Sequence, residues 1–422
     1  MANSLRQVYA SVYIDENELQ ILVAEYFNTR FNIIRADKFK MEGILNFRIT
    51  DYNRVVEILK GALEYSSNRI GATINKVILV LPSLDFVRYP LRVSVIPNGG
   101  ILTKKDVAKA VTSALNEKIN DSSTIVNANV VKYNINGISS RRLPEKEICD
   151  EVLIDIDLLC ANKEMCYSYV KAVSDAGVNV LDITLNNYSI CKEAVLLEQS
   201  LDSNIILLDI GLEHTYMSLL TKGKLVSSEL IYDGLSSLCE EVYKELHIPK
   251  DNIERLIKYN VSFEDNVIDN AIFAWNDDKQ INHSITVKEL SKIVYSPLKT
   301  YIDKIMTMCK PIIDSGETSF FLVGEGSKMK SLVDMLKNES NIETKTYFPD
   351  TIGVRDSSMS AIYGSFIVYK EKAMLNDLNV CCVDVAEYDN TVDQREEDNE
   401  GESITSKIKK MFDDLVHEEE EN

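Results

Sequence analysis

One pattern, met twice, constrains this chain more than any other. At 9–14 and 19–26 apolar and polar residues alternate around the turn IDENE, and 33–38 adds a third extended run. A helix is predicted over 51–66, where Val55, Ile58, Leu59 and Leu63 fall at helical spacing behind a capping Asp51. The apolar run KVILVL at 76–81 reads as a buried strand. The meander returns at 205–220 and 224–231, followed again by helices and by a strand at 319–323. Meander, helix, strand is the order of a layered α/β domain, so two copies predict two related lobes. The length of 422 residues, too great for one ordinary core, agrees.

Between the copies the texture changes. The run at 88–96 alternates like a strand. A helix over 103–119 opens with T-K-K-D, a variant of the capping box, and 125–133 and 151–159 read as strands. This strand-helix-strand-strand unit predicts an inserted subdomain. A helix at 165–176 and a strand at 178–183 return to the first lobe. Within the second copy, helices are predicted at 235–246, 253–259 and 286–313, with a polar, irregular hairpin across 265–283. After the strand at 319–323 come G-E-G-S, a helix at 328–336 and a further helix at 358–370 behind a Ser cap.

Charge and cysteine usage exclude several classes. A formal net charge of −20 argues against free nucleic acid as a partner. The eight cysteines form no C-x-x-C, and Cys381 and Cys382 are adjacent, which suits neither a disulfide framework nor a zinc site. The N-terminal MANSLRQVYASVYI lacks an export pattern, and no run of eighteen apolar residues is present to span a bilayer. A reduced cytosol is the expected setting.

The C-terminal part carries two further expectations. Over 383–402 nine acidic residues accompany one Arg, too little apolar surface to fold alone, so 374–402 is expected to be a disordered acidic linker. Beyond it, Ile404, Ile408, Met411, Phe412, Leu415 and Val416 form one apolar stripe, with Lys407, Lys409 and Lys410 beside it. Such a helix either lies on a membrane surface, the preferred reading, or packs on the body or on a partner. Each Lys adds about 1 kcal/mol near anionic lipid, while Asp413, Asp414 and Glu418 to Glu421 oppose it. One tail binds weakly and many tails on a filament bind strongly.

The stretch LLDIGLEHTYMSLL, 207–220, holds the chemistry. A tight turn between two strands presents backbone N–H groups to phosphate oxygens where glycine lets the backbone approach. An Asp at the strand end can hold a Mg²⁺-bound water. Asp209 and Gly211 suit those roles, with Asp209 the metal-side residue, whereas Leu212, Glu213 and His214 do not. An ordinary hairpin turn is the competing reading. No Ser-His-Asp or Cys-His arrangement is defensible, and no catalytic residue is assigned.

With these segments in place, nearly the whole chain resembles the FtsA family of bacterial cell-division proteins, which are actin-like ATPases. The family motif Asp-Ile-Gly-Gly-Gly-Thr-Thr-Asp survives as Asp209, Ile210, Gly211 and Thr215. The first family loop, Asp-Ile-Gly-Thr-Ser-Lys, aligns with 13–18, where glycine and hydroxyl residues are gone and the Asp is lost or displaced to Asp15. The adenosine loop, Gly-Gly-Gly-Ser, survives in FFLVGEGSKMKSL as Gly324, Gly326 and Ser327, with Glu325 replacing the middle glycine. A strand-to-helix turn capped by Ser327 is the alternative there. The family's Ala-Glu-x-x-Lys is matched by Glu254, with Lys258 one residue late; a solvated i,i+4 pair is the alternative.

The resemblance implies an actin-like, ribonuclease H-like two-lobed α/β fold with an FtsA-type inserted subdomain and a disordered tail ending in an amphipathic helix. It implies a first lobe of 1–86, 161–200 and 358–373 and an insertion at 87–160. The second lobe would take 201–235 with 314–357 as its large subdomain and 236–313 as its small one. The linker would be 374–402 and the membrane helix 403–422. The implied function is a scaffold that polymerises, tethers FtsZ filaments to the cytoplasmic face of the membrane at the division site and recruits later division proteins. ATP and Mg²⁺ are the implied cofactors, held weakly or lost, with negligible hydrolysis. The rivals are a working ATPase with substitute phosphate ligands and a pilus-assembly or Hsp70-like actin relative.

Overall fold

The computed structural model describes residues 7–144, 147–276 and 280–400. Strands β1 (Gln7–Ile14), β2 (Glu18–Phe27) and β3 (Arg30–Lys40) form the antiparallel meander. A two-residue hairpin, β4 (Ile44–Leu45) and β5 (Arg48–Ile49), leads to α1 (Tyr52–Ile70). Asp51 caps α1, its carboxylate accepting from the Arg54 N–H at 3.0 Å. Strand β6 (Lys76–Leu81) then lies parallel to β1. Seven of the eight β1 residues are buried, as a central strand covered on both faces requires.

The inserted stretch builds its own antiparallel sheet. It contains β7 (Val87–Val95), α2 (Lys104–Ala114), β8 (Ser123–Ile135), β9 (Ile138–Ser140) and β10 (Val152–Asn162), in the strand order β7-β10-β8-β9. Helix α2 has the full capping box between Thr103 and Asp106 but ends at Ala114, short of the expected 119. The chain returns through α3 (Lys163–Asp175) to β11 (Asn179–Leu185), which pairs parallel with β6.

Two short helices follow that sequence periodicity does not announce, α4 (Asn186–Glu193) and α5 (Leu196–Gln199). The second meander is β12 (Asn204–Ile210), β13 (Thr215–Thr221) and β14 (Lys224–Ile231). Helices α6 (Leu235–Leu246) and α7 (Lys250–Asn260), the hairpin β15 (Ala271–Asn276) and β16 (Asn282–Thr286), and α8 (Val287–Ile313) come next. Strand β17 (Thr318–Val323), α9 (Lys330–Ser340), β18 (Glu343–Thr346) and α10 (Ser360–Leu375) complete the body.

The two large sheets are topological copies. One has the order β11-β6-β1-β2-β3 and the other β14-β13-β12-β17-β18. In each, an antiparallel meander continues into two parallel strands. Alternate residues of β12 serve different cores. Ile205 and Leu207 join the core shared with the first sheet, while Ile206, Leu208 and Ile210 join that of α6, α8 and α9. Helices α4 and α10 pack closely, for a Cβ on Gly364 would sit 2.2 Å from the Ser189 carbonyl oxygen. Helix α10 is buried nearly all round, and the Ser365 and Ser11 hydroxyls meet at 2.7 Å, fixing it on β1.

The expectation of a disordered linker over 374–402 is corrected for much of its length. The Cys382 N–H donates to the Val8 carbonyl at 2.8 Å, and its own carbonyl accepts from Asn75 and Lys76. Cys382, Val383 and Tyr388 are buried, and α11 (Val385–Glu400) follows. The acidic composition concealed these apolar anchors, and the ends of β1 and β6 offered backbone groups for pairing. The expected membrane-surface residues Ile404, Lys407, Ile408, Lys409, Lys410, Met411, Phe412, Leu415 and Val416 lie outside the described residues. Among the described residues no helix is long and apolar enough to cross a membrane.

Candidate interlobe cleft

Three turns meet between the large sheets: β1–β2 from one side, and β12–β13 and the turn after β17 from the other. They enclose a cavity of about 90 Å³, whose lining includes Tyr13, Asp15, Gln20, Asp209, His214, Tyr216 and Glu325. The β12–β13 turn is closed internally, the Gly211 N–H donating to the His214 carbonyl at 2.9 Å. It also seats α6, for the Leu235 and Ser236 N–H groups donate to the carbonyls of Gly211 and Leu212. The amide that a phosphate would use at Gly211 is therefore already engaged.

His214 is a cleft residue with a partner. Its Nε2 lies 3.2 Å from Asp15 Oδ1 on the opposite turn, and its ring sits edge-on to Phe47 and Tyr216. Burial alone would lower the imidazole's pKa, but neighbouring Asp15 raises it above the ordinary value. Burial would raise Asp15, and the His214 charge brings it below its ordinary value. Burial pushes Asp209 up to about 7, with Asp15 adding to the rise and His214 opposing it. Gln20 Oε1, His214 Nδ1 and Tyr216 OH find no hydrogen-bond partner among the described protein atoms. A polar cavity of this size suits a few waters.

Beside the cavity stands a cluster of charges around Glu325. Its carboxylate lies 2.5 Å from Lys258, 2.9 Å from Lys328 and 3.7 Å from Lys38. Lys258 also pairs with Glu254, and Lys328 pairs with Asp356 at 2.7 Å. Burial would raise Glu325, yet Lys258 and Lys328 hold it down to about 2. Asp356 is likewise held at about 2, against burial, by Lys328 and the Ser358 N–H.

The sequence-derived site residues divide into two groups. Asp209, Gly211 and Gly324 line the cavity, while Thr215, Gly326, Ser327, Glu254 and Lys258 do not. Thr215 is buried, its hydroxyl donating to the Asp233 carbonyl and sitting 2.6 Å from the Tyr301 hydroxyl. The Ser327 hydroxyl donates to the Gly324 carbonyl. Gly324 has φ 79°, and a Cβ there would lie 2.6 Å from Asp209 Oδ1. A Cβ on Gly326 would lie 2.3 Å from the Ile210 side chain. Both glycines are thus required by the close approach of this turn to the end of β12, with no ligand invoked. Lys258, at 8% side-chain exposure, is not the solvated partner expected from its spacing to Glu254. The sequence reading passed over Lys38, Lys328 and Asp356 and met Asp15 only as the displaced Asp of the first family loop. Lys328 lies three residues from Glu325, but the partners of Asp15, Lys38 and Asp356 are distant along the chain, and no local pattern signals them.

These residues do not fit a magnesium-bound nucleoside triphosphate. The cavity is lined by the carboxylates of Asp15, Glu18, Asp209, Glu213 and Glu325, and its lining includes no Lys or Arg. The nearby ammonium groups are held by Glu325. The volume also falls well below the roughly 300 Å³ at which ligand pockets begin. Among the described residues no group of three or more His, Cys, Asp and Glu is arranged to hold a metal ion.

No protein-family model matches the chain. Among curated proteins, the cell division protein FtsA of Enterococcus hirae is 22% identical over 96% of this chain and 98% of its own. The chain resembles FtsA over nearly its whole length. The FtsA of Staphylococcus epidermidis strain RP62A is 20% identical over 94% of this chain and 86% of its own. That of Bacillus subtilis strain 168 is 19% identical over 83% and 80%. Solved structures bear on the fold that accompanies this FtsA likeness. A chain of the PilM-PilN type IV pilus biogenesis complex superposes with TM-score 0.56 at 12% identity, covering 85% of this chain and 98% of that one. MreB5 of Spiroplasma citri bound to AMPPNP does so with TM-score 0.53 at 12% identity, over 88% and 99%. The fold is actin-like, as the resemblance implies.

Proposed function

We propose that this chain is a cell-division scaffold of the FtsA type, which tethers FtsZ filaments to the cytoplasmic face of the membrane and helps assemble the septal ring. The observation that carries the reading is likeness to FtsA over 96% of the chain. In this reading 87–160 is the FtsA-type subdomain that receives later division proteins, and 236–313 is the small subdomain that meets FtsZ. The body is 1–86, 161–200 and 358–373 as first lobe, with 201–235 and 314–357 as large subdomain of the second. The chain assembles with copies of itself, and the stripe from Ile404 to Val416 supplies the membrane contact.

The carboxylate-lined cleft supports a scaffold whose adenine nucleotide binding is weak or absent and whose turnover is negligible. Liposome co-sedimentation of the full chain, against a version ending at Glu402, tests the tether. The full chain is expected to pellet and to carry FtsZ with it, and the shortened one to stay in solution. If both remain soluble and neither carries FtsZ, the tether is wrong. Calorimetric titration tests the nucleotide half, and sub-micromolar, Mg²⁺-dependent affinity for ATP contradicts it.

A further inference from the structure

Two ionic contacts cross the cleft, and both are made by the protein itself. From the first lobe come Asp15 of the β1–β2 turn and Lys38 of β3. From the other side come His214 of the β12–β13 turn and Glu325 of the turn after β17. The separations are 3.2 Å for His214–Asp15 and 3.7 Å for Glu325–Lys38. Lys328, which holds Glu325 at 2.9 Å, also pairs at 2.7 Å with Asp356, just before α10. Lys258 adds a link inside the second lobe, joining α7 to the turn that carries Glu325.

We propose that these contacts form a built-in latch, in which the Glu325 carboxylate acts as an internal anion and the lobes stay closed without nucleotide. An anion that pairs with cations on both walls of a cleft holds those walls together. Here that charge is covalently part of the chain, at the position where the FtsA pattern has glycine. Glu325 is four-fifths buried on its side chain and His214 more than nine-tenths, so solvent screens these contacts far less than surface pairs. Opening the cleft separates both contacts together. The latch therefore gives the closed lobe arrangement at all times, where a ligand-dependent cleft would give it only when loaded.

This inference deepens the weak-nucleotide half of the function proposed above, and the two fail separately. The experiment is amide hydrogen exchange on the full chain, comparing wild type, Glu325→Gln and Lys38→Met. The reporters are peptides containing Asp15, Gly211 and Met329, whose N–H groups are bonded within the three turns. Peptides from α1 and α8 serve as controls. Both variants are expected to accelerate exchange in the reporters by about tenfold relative to the controls. Lys38 is a third exposed at the rim, so its variant tests the latch without disturbing a core. Reporter exchange that rises no more than the controls in both variants overturns the latch. A separate arm adds millimolar Mg·ATP to the wild type. Unchanged exchange is expected, and strong slowing in the turns refutes the weak-nucleotide reading while the variants still judge the latch.

Discussion

Glu325→Gln keeps the size of the side chain and removes the charge on which the cluster depends. The carboxyl is held at about 2, against an ordinary 4.5 and against the effect of its burial, by Lys258 and Lys328. At 1.36 kcal/mol per pKa unit, that depression corresponds to about 3 kcal/mol of stability. The side chain is only 19% exposed, so screening leaves most of it in place. The sign follows from a carboxylate lowered by folding: its contribution is fully present above pH 4.5 and is lost as pH falls toward 2. The variant is therefore expected to be less stable than wild type by about 3 kcal/mol at pH 7, with a gap that narrows below pH 4.5. Urea unfolding followed by fluorescence of Trp275, the chain's one tryptophan, reads this in the second lobe. Other carboxylates titrate alike in both proteins and cancel in the difference. A gap that is the same at pH 7 and pH 3, or under 1 kcal/mol at pH 7, refutes the assignment of Glu325 as the hub.

Asp209→Asn is expected to stabilise the protein. Burial raises this carboxyl to about 7 from an ordinary 3.8, so its contribution is complete below pH 3.8 and is lost as pH rises through 7. The variant should match wild type near pH 4 and exceed it at pH 8 in the same unfolding assay. Gly364→Ala places a methyl 2.2 Å from the Ser189 carbonyl, between two backbones that cannot easily part. A loss of about 1–3 kcal/mol is expected despite the better helix former, visible as a lower thermal midpoint. Thr103→Ala removes the hydroxyl that accepts from the Asp106 N–H, and faster amide exchange confined to α2 is expected, equivalent to about 1 kcal/mol.

The elements that could be read from the sequence were those with an alternating or striped apolar pattern or, like β6, an unbroken apolar run. Both meanders alternate, α1 shows its stripe behind Asp51, and α6 falls on 235–246 as its spacing predicts. Helix α4 escaped because six of its eight residues are buried, polar Asn186, Asn187 and Ser189 among them, so no stripe is left to see. The edge strand β18 is short and polar. In the cleft, local spacing revealed the Glu254–Lys258 pair, but the third member, Glu325, lies 67 residues further on from Lys258. His214 showed only that it does not suit a phosphate-binding turn, because its partner Asp15 belongs to the other lobe. Glycine kept at 324 and 326 suggested a nucleotide, yet Asp209 and Ile210 demand the same absence of a Cβ.

The seam between Cys382 and the first sheet bears on how the body faces whatever its far C-terminus holds. A free coil over 374–402 would wander by roughly 30 Å root-mean-square and pass on no orientation. Instead Cys382 is stitched to Val8, Asn75 and Lys76, and the Thr391 hydroxyl is bonded to the Gly71 carbonyl. The sixteen-residue α11 thus leaves the body at a set heading and spans about 24 Å. Ile404 follows Glu400 by only four positions. Such a launch point works as a mast, not a rope: the chain passes Glu400 from one set place and direction relative to the two sheets.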